Sequence, residues 1–494
     1  MDKSISFGQR ILTYLVCFFF TVQPVMAKVV VNNNQHNTST NQAGNGVEVV
    51  NIATPNDKGL SHNQYHQFNV DSGGLILNNS TEALAQSQLG GLIKGNPNLK
   101  GQSASVILNE VTGATRSQLK GYTEVFGGKA NVILTNPYGI TCNGCGFINT
   151  PRVTLSTGKP ELDKGKVSGF DVSEGSVTIE GLGLDATNQT YFDIISRTAQ
   201  INANIHANDL TIITGKNQVS YQTNQITEKE GTSSEKSSLA IDSSSLGGMY
   251  AGRIALIATE NGVGVNVGNL SASQGRIEIS ADGKVVLGQA TSAKALTVST
   301  SGTTVLNTKQ YAGTSMAVNA GSIDVERSTI AAAQDVSLST DGSISIAQST
   351  VLSGVQADGT SNSMGNTNVR AASTVLSESQ LGARQGVSVI GEQLSVDGRS
   401  QVNGNDVTLT QTRSIDSSGS IQARDSLDAS TEILKLSGQS KSEARNVELN
   451  SAKAAVGGQV TAGQQLLVSS TDTLQIKDSA KLTATNKLDL GCKI

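Results

Sequence analysis

SIDVERSTI, Ser322 to Ile330, returns downstream as SISIAQSTV, Ser343 to Val351, an offset of 21 (343 − 322). In both copies a short alternating strand stops at polar residues and then resumes. The echo continues downstream, where Val407, Leu427, Val447, Leu467 and Leu488 follow at intervals of 20, 20, 20 and 21 in the numbering. A second signature rides on this period. An apolar residue is followed six later by another that opens a strand: Ile330 with Val336, Ile421 with Leu427, Val460 with Leu466, and Leu482 with Leu488. The intervening turns are rich in Gly, Ser and Asp. Strands of three to five residues cannot each bury a core, but stacked repeats can. Alternate side chains then point inward while each coil bonds to the next as parallel strands. An antiparallel sandwich would instead show tight turns without such a superperiod. The period therefore predicts an all-β fold, a right-handed parallel β-helix (β-solenoid), since parallel crossovers are almost always right-handed. About 20 residues per coil predict about 23 coils and, at about 4.8 Å each, a monomeric rod of about 110 Å.

Composition agrees. Trp is absent, aromatics are 3%, and no proline follows Pro160. A strand paired on both sides needs every N–H, so proline is excluded from it. Coil interiors take Val, Ile, Leu and Ala, with Asn or Ser ladders to satisfy inward polar groups. The formal charge of −4 comes with no basic patch, which argues against a nucleic-acid partner. No Ser-His-Asp set, P-loop or HExxH is present, and no aromatic follows Tyr311 to stack on a sugar. A polysaccharide-cleaving β-helix is thus a remote alternative. The expectation is no enzyme, no cofactor and no metal.

The N-terminus predicts the compartment. Lys3 and Arg10 precede an apolar run, Ile11 to Val22, and then Val25 and Ala27 at signal-peptidase spacing. This is the pattern of a secretory signal peptide, residues 1–27. The run is shorter than the ~20 residues that a membrane span needs. The first ~135 mature residues differ from the periodic part that follows. They hold the remaining five prolines and three of the four His. An uncapped solenoid exposes unpaired strand edges, so the less regular N-terminal part is expected to form a cap. Lys216 to Leu246, polar and charged, is expected to be a long loop or an extra-helical hairpin.

Two stretches carry Asn-Pro turns: Asn96-Pro97-Asn98-Leu99 and Asn136-Pro137-Tyr138-Gly139-Ile140. Asn at the first position and Pro at the second suit type I turns. Asn78 and Asn79 are candidate inward ladder residues.

Together with GLSHNQYHQFNV (Gly59–Val70), GLILNNS (Gly74–Ser80), NVILTNPYGI (Asn131–Ile140), INANIHANDLTIITGKN (Ile201–Asn217) and LGGMYAGRIALIATENGVGV (Leu246–Val265), these turns mark a resemblance. The chain resembles the N-terminal part of two-partner secretion exoproteins, the family of filamentous haemagglutinins, Ser/Thr-rich cytolysins and contact-dependent inhibition toxins. Members usually carry NPNGI, so Tyr138 departs from the pattern. The resemblance implies passage through the Sec machinery, engagement in the periplasm by the POTRA domains of a cognate outer-membrane transporter, and folding at the surface of a Gram-negative bacterium. It implies that 28–268 is the secretion domain and 269–494 the stalk of an adhesin or toxin meeting host or neighbouring-cell receptors. A pore-forming haemolysin is the alternative. Because the sequence stops at KLDLGCKI within one coil, the repeat region is expected to be truncated. The two Asn-Pro turns either serve secretion or simply fold the cap.

Cys142 and Cys145 lie just after the second turn. A redox motif would need a strand-to-helix context. A structural zinc needs four ligands, and His62 and His66 are the closely spaced candidates for the other two. An oxidising compartment favours a local disulfide. Its loop is too short for much entropic stabilisation, but it would clip the turn that follows NPYGI.

Overall fold

The computed structural model describes residues 29–32, 36–229, 238–243 and 245–492. The expected signal peptide lies outside them. The described residues form a parallel β-solenoid of about 18 turns and contain no helix. Each coil has three faces. The first begins with Glu48–Asn51, Leu75–Asn79, Tyr122–Gly127 and Cys145–Ile148, paired in parallel one upon the next. The second begins with Leu60–Gln67, Val106–Val111, Asn131–Thr135 and Arg152–Ser156. The third begins with Ser117–Leu119, Ile140–Cys142, Ser176–Ile179 and Thr198–Ile201. Inward residues stack into one continuous apolar column.

The echo seen in the sequence is the register itself. Ile323 pairs with Ile344, Val325 with Ile346 and Ile330 with Val351. Two sequence expectations are corrected. The rod has about 18 coils rather than about 23, or about 86 Å at the usual strand spacing. The shortfall arises because the cap and the extra-helical insertions use residues without adding a coil. The apolar column also runs Val407, Leu427, Val447, Leu466, Leu488. Leu467 pairs with Glu448 and Asp489 on the outward side, because this coil is one residue shorter. A one-residue slip exchanges the two faces of a strand.

The corners of coils in the middle of the rod share a device. Arg327, Gln348 and Glu378 take left-handed φ values of 47°, 50° and 51°. Each is followed by a buried serine. The Ser328 amide donates to Ser349 Oγ at 3.0 Å, Ser349 to Ser379 Oγ at 3.1 Å, and Ser379 to Ser400 Oγ at 3.1 Å. The backbone turns away from its ladder at each corner, and the next coil's hydroxyl satisfies the amide left over.

The N-terminal end is capped on all three faces. Val30–Val31 runs antiparallel to Leu60–Gln67, and Ser39–Gln42 antiparallel to Glu48–Asn51. Val70 bridges to Leu119 at the head of the third face. The first coil's strand edges are therefore paired before solvent or another chain can reach them.

The early coils also carry layers outside the solenoid. A four-stranded antiparallel sheet, Lys159–Asp163, Lys166–Asp171, Asn217–Ser220 and Ile226–Glu228, covers the second face. Phe170, Val219 and Tyr221 seat there on outward-pointing Leu60, Leu108, Ile133, Ile195 and Ile213. A hairpin, Leu84–Ser87 with Gly91–Lys94, covers Val49, Ile76 and Phe126 on the first face. The segment Lys216 to Leu246 thus supplies half of a sheet whose other half comes from Lys159–Asp171, while Leu239–Ser243 returns to the solenoid. Pro160 lies on that sheet's edge strand, where no ladder needs its N–H.

Candidate functional site

The two Asn-Pro turns are built alike. Asn96 is 5% exposed; its Nδ2 donates to Ile52 O at 2.9 Å and Asn78 O at 2.8 Å, and its Oδ1 accepts from the Asn98 amide at 2.9 Å. Asn136 is fully buried; its Nδ2 donates to Thr115 O and Ser117 Oγ, both at 2.9 Å, and its Oδ1 accepts from the Tyr138 amide at 3.0 Å. Each asparagine thus closes its own turn and ties it to a preceding coil. Pro97 and Tyr138 face solvent, whereas Leu99 and Ile140 anchor the motifs in the core. Gly139 donates its amide to Asn136 O at 2.9 Å, which completes the second turn.

Asn98 continues the network, donating to Asn37 O at 2.8 Å and accepting from Thr54 Oγ1 at 2.7 Å. Asn78 is a ladder residue, bonded to Asn51 Oδ1 on the coil before at 2.9 Å. Asn79 caps carbonyls instead, donating to Ala104 O and Gly128 O.

Sequence reading missed Arg116, which stands behind the second turn. Its guanidinium donates to Ile140 O, Thr141 Oγ1, Ser176 O, Ser176 Oγ and Thr178 Oγ1 at 2.7–3.1 Å. Burial pushes its pKa below the usual value, with Glu180 opposing. No local sequence signal marks it, because its partners lie one and two coils ahead.

NPYGITCNGCGF walks from the second face through the third to the first face of the next coil. Cys142 ends a third-face strand and Cys145 opens a first-face strand. The structure pairs their sulfurs across that corner, with Cα atoms 5.4 Å apart and both residues buried. Gly144 makes the bend at φ 79°. The histidines sit elsewhere. His62 Nε2 meets Glu110 Oε2 of the following coil at 2.7 Å, and its ring lies 4.7 Å from that of His36. Among the described residues no group of His, Cys, Asp or Glu is placed to hold a metal.

A family model described as TPS secretion domain matches residues 27–287. The 16S rRNA endonuclease CdiA of Enterobacter cloacae subsp. cloacae is 48% identical over 347 residues, which are 69% of this chain and 10% of that protein. The tRNA nuclease CdiA of Yersinia mollaretii is 42% identical over 379 residues, 76% of this chain and 13% of that protein. The chain spans about a tenth of the length of these relatives. The crystal structure of the filamentous hemagglutinin secretion domain superposes with a TM-score of 0.51 at 33% identity, covering 60% of this chain and 96% of that one. A capped three-faced solenoid with external layers on its first coils, matched over more than half its length, places the chain in the TPS secretion-domain family.

Proposed function

We propose that residues 28–268 are the address that a cognate outer-membrane transporter reads through its periplasmic POTRA domains, after Sec-dependent export directed by residues 1–27. The later coils are the stalk of a secreted or cell-surface adhesin or contact-dependent toxin of a Gram-negative bacterium, and this part of the molecule is not catalytic. The observation that carries the reading is the overlap of the family match with the elaborated coils. The match at residues 27–287 takes in the cap, both external layers and both Asn-Pro turns. The nuclease names belong to relatives of which this chain matches about a tenth, so any such activity is assigned outside it. Cys142 and Cys145 are proposed to remain joined in the exported protein, as a clip and not a reactive pair.

The test is export of the full chain with its transporter, scored in medium and in periplasm. Asn136→Ala strands Thr115 O and Ser117 Oγ, at about 1–3 kcal/mol, and should retain the protein in the periplasm. Leu427→Ala empties a site that is 1% exposed in the repeats. It should leave export intact while costing about 2–5 kcal/mol locally. The reverse pattern would place the address in the repeats.

A further inference from the structure

We propose that the outward row Tyr122, Asp185, His206 and Tyr250, which runs along the first face over five consecutive coils, is a docking strip for a linear neutral glycan in the folded rod. The proposal goes beyond the secretion reading and asks nothing of the transporter.

Aromatic side chains are scarce in this chain and mostly hidden. Every described Phe is buried, and so are Tyr65, Tyr221 and Tyr311. Four described tyrosines stay exposed, Tyr122, Tyr138, Tyr191 and Tyr250, and two of them fall in one row. Register makes the row. Tyr122 pairs with Gly146, Gly146 with Asp185, Asp185 with His206, and His206 with Tyr250. At the usual strand spacing the row is about 19 Å long.

Glycines lay the two tyrosine rings down. Gly146 and Gly248 hold outward strand positions, where glycine weakens a strand and marks a close approach. A Cβ at Gly146 would stand 2.3 Å from Tyr122 Cε1, and one at Gly248 would stand 2.7 Å from Tyr250 Cε2. Both glycines are buried because a ring lies across each. Each of these tyrosines still keeps 37% of its surface open. The polar groups between them are fixed as well. Tyr122 Oη donates to Asp185 Oδ2 at 2.9 Å, and the Thr187 amide and hydroxyl donate to Asp185 Oδ1 at 3.1 and 2.7 Å. The exposed His206 ring lies nearly parallel to that of Tyr250, with centroids 5.3 Å apart.

This chemistry selects the class of ligand. A pyranose offers an apolar C–H face and a rim of hydroxyls. Aromatic rings laid on the surface take the face, while Asp185, His206 and the tyrosine hydroxyls bond the rim. The coil spacing of about 4.8 Å is close to the length that one pyranose adds to an extended chain, so successive sugars meet successive coils. The row holds no Lys or Arg, and the Asp185 carboxylate repels an anionic partner, which favours a neutral glycan.

The purified full chain is treated with tetranitromethane, which nitrates exposed tyrosines, alone and with cellohexaose, maltohexaose or chitohexaose. The modified sites are mapped by mass spectrometry. With at least one of these probes, nitration of Tyr122 and Tyr250 should fall at least about threefold, while Tyr138 and Tyr191 react as before. Titration of that probe should show binding weakened about fivefold in Tyr122→Ala and in Tyr250→Ala. Tyr122→Phe, which keeps the ring, and Tyr191→Ala, which lies off the row, should stay within about twofold. Selective protection by none of the three probes, unchanged affinity in both alanine variants, or selective protection by heparin or phosphatidylglycerol vesicles instead would overturn the proposal. Protection that rises with protein concentration in the absence of glycan would overturn it too, by assigning the row to a second copy of the chain. The nitration pattern of the unmodified chain decides even if an alanine variant fails to fold. No transporter enters these assays, so their failure would leave the secretion reading standing.

Discussion

The early coils and the later ones solve the same packing problem differently. Both bury an inward column, but the early coils also bury apolar residues on their outer faces, at Leu60, Ile76, Leu108, Ile133, Ile195 and Ile213. Those residues are covered by the four-stranded sheet and the hairpin. Later coils turn mostly polar residues outward and need no cover. The corners differ too. Early coils take positive φ largely at glycines, among them Gly59, Gly74, Gly127, Gly139, Gly144, Gly175 and Gly183. In the repeats Thr308, Arg327, Gln348 and Glu378 adopt it at a steric cost. The repeats vary little and can reuse one corner. The early coils each bend differently, and glycine permits each bend.

The largest expected effect breaks the double core. Phe170 is fully buried and meets Tyr221 edge-to-face with centroids 6.0 Å apart. Phe170→Ala should cost about 3–5 kcal/mol, read as a drop in thermal stability with faster amide exchange confined to the early coils. If exchange is unchanged there, the external sheet is decoration and the contrast collapses.

Next comes a pair within the repeats. Leu466→Ala, at an inward site 1% exposed, should cost about 2–5 kcal/mol. Leu467→Ala next to it, on the outward side, should stay within about 0.5 kcal/mol. Equal losses in chemical denaturation would show that a single inward column does not govern this region.

This pair also shows how far the sequence could be read. Val407, Leu427 and Val447 marked the column correctly, because period-2 alternation and a constant coil length are local properties. Leu467 was misassigned because a shortened coil moves the register while keeping two adjacent leucines. The signature pairing Val460 with Leu466 held the right answer. The four-stranded sheet was half legible, in Lys216 to Leu246. Its partner Lys159–Asp171 is charged as well and carries Pro160, but antiparallel pairing between segments so distant in the chain leaves no periodic mark that would join the two. The Asn-Pro turns were visible from turn chemistry. Arg116 was not, since what defines it is contact with residues on two other coils.

A smaller effect should separate the cap from the rest by pH. Burial lowers the His36 pKa from 6.5, the neighbouring His62 adds to this, and Glu110 opposes. Burial alone would raise Glu110 above 4.5, but hydrogen bonds from His62 and Gln64, with the nearby imidazoles, carry it below. Both folded values lie under their unfolded ones, so both contributions are complete above about pH 6.5 and fade on acidification. His36 begins to be lost below 6.5 and Glu110 below 4.5. Limited proteolysis near the cap should therefore accelerate from pH 7 to pH 4 more than cleavage in the repeats. His36→Gln should remove the upper part of that difference. Uniform acceleration would mean that the cap has no titration of its own.

The smallest effect sharpens the contrast in corners. Gln348→Gly relieves a left-handed side chain, and the exposed hydrogen bonds it loses, to Arg327 and Glu378, are weak. A net gain of about 0.5–1 kcal/mol is expected in thermal unfolding. The same gain cannot be had at Gly139, which is already glycine.

The serine ladder sets the unit in which this molecule can change length. Each corner serine amide asks only for a hydroxyl on the next coil, and each hydroxyl offers the same. Excising residues 329–349 would join Ser328 to Thr350. Arg-Ser-Thr-Val would then stand where Arg-Ser-Thr-Ile stood, and the Ser328 amide would face Ser379 Oγ. The rung heals, and every side chain beyond it keeps its face. Excision of one residue more or fewer would turn the following strand inside out. Gene segments encoding this part of the rod can therefore recombine in whole coils at little cost, whereas the early coils, tied crosswise by Arg116, Asn136 and the outer sheet, have no such interchangeable unit.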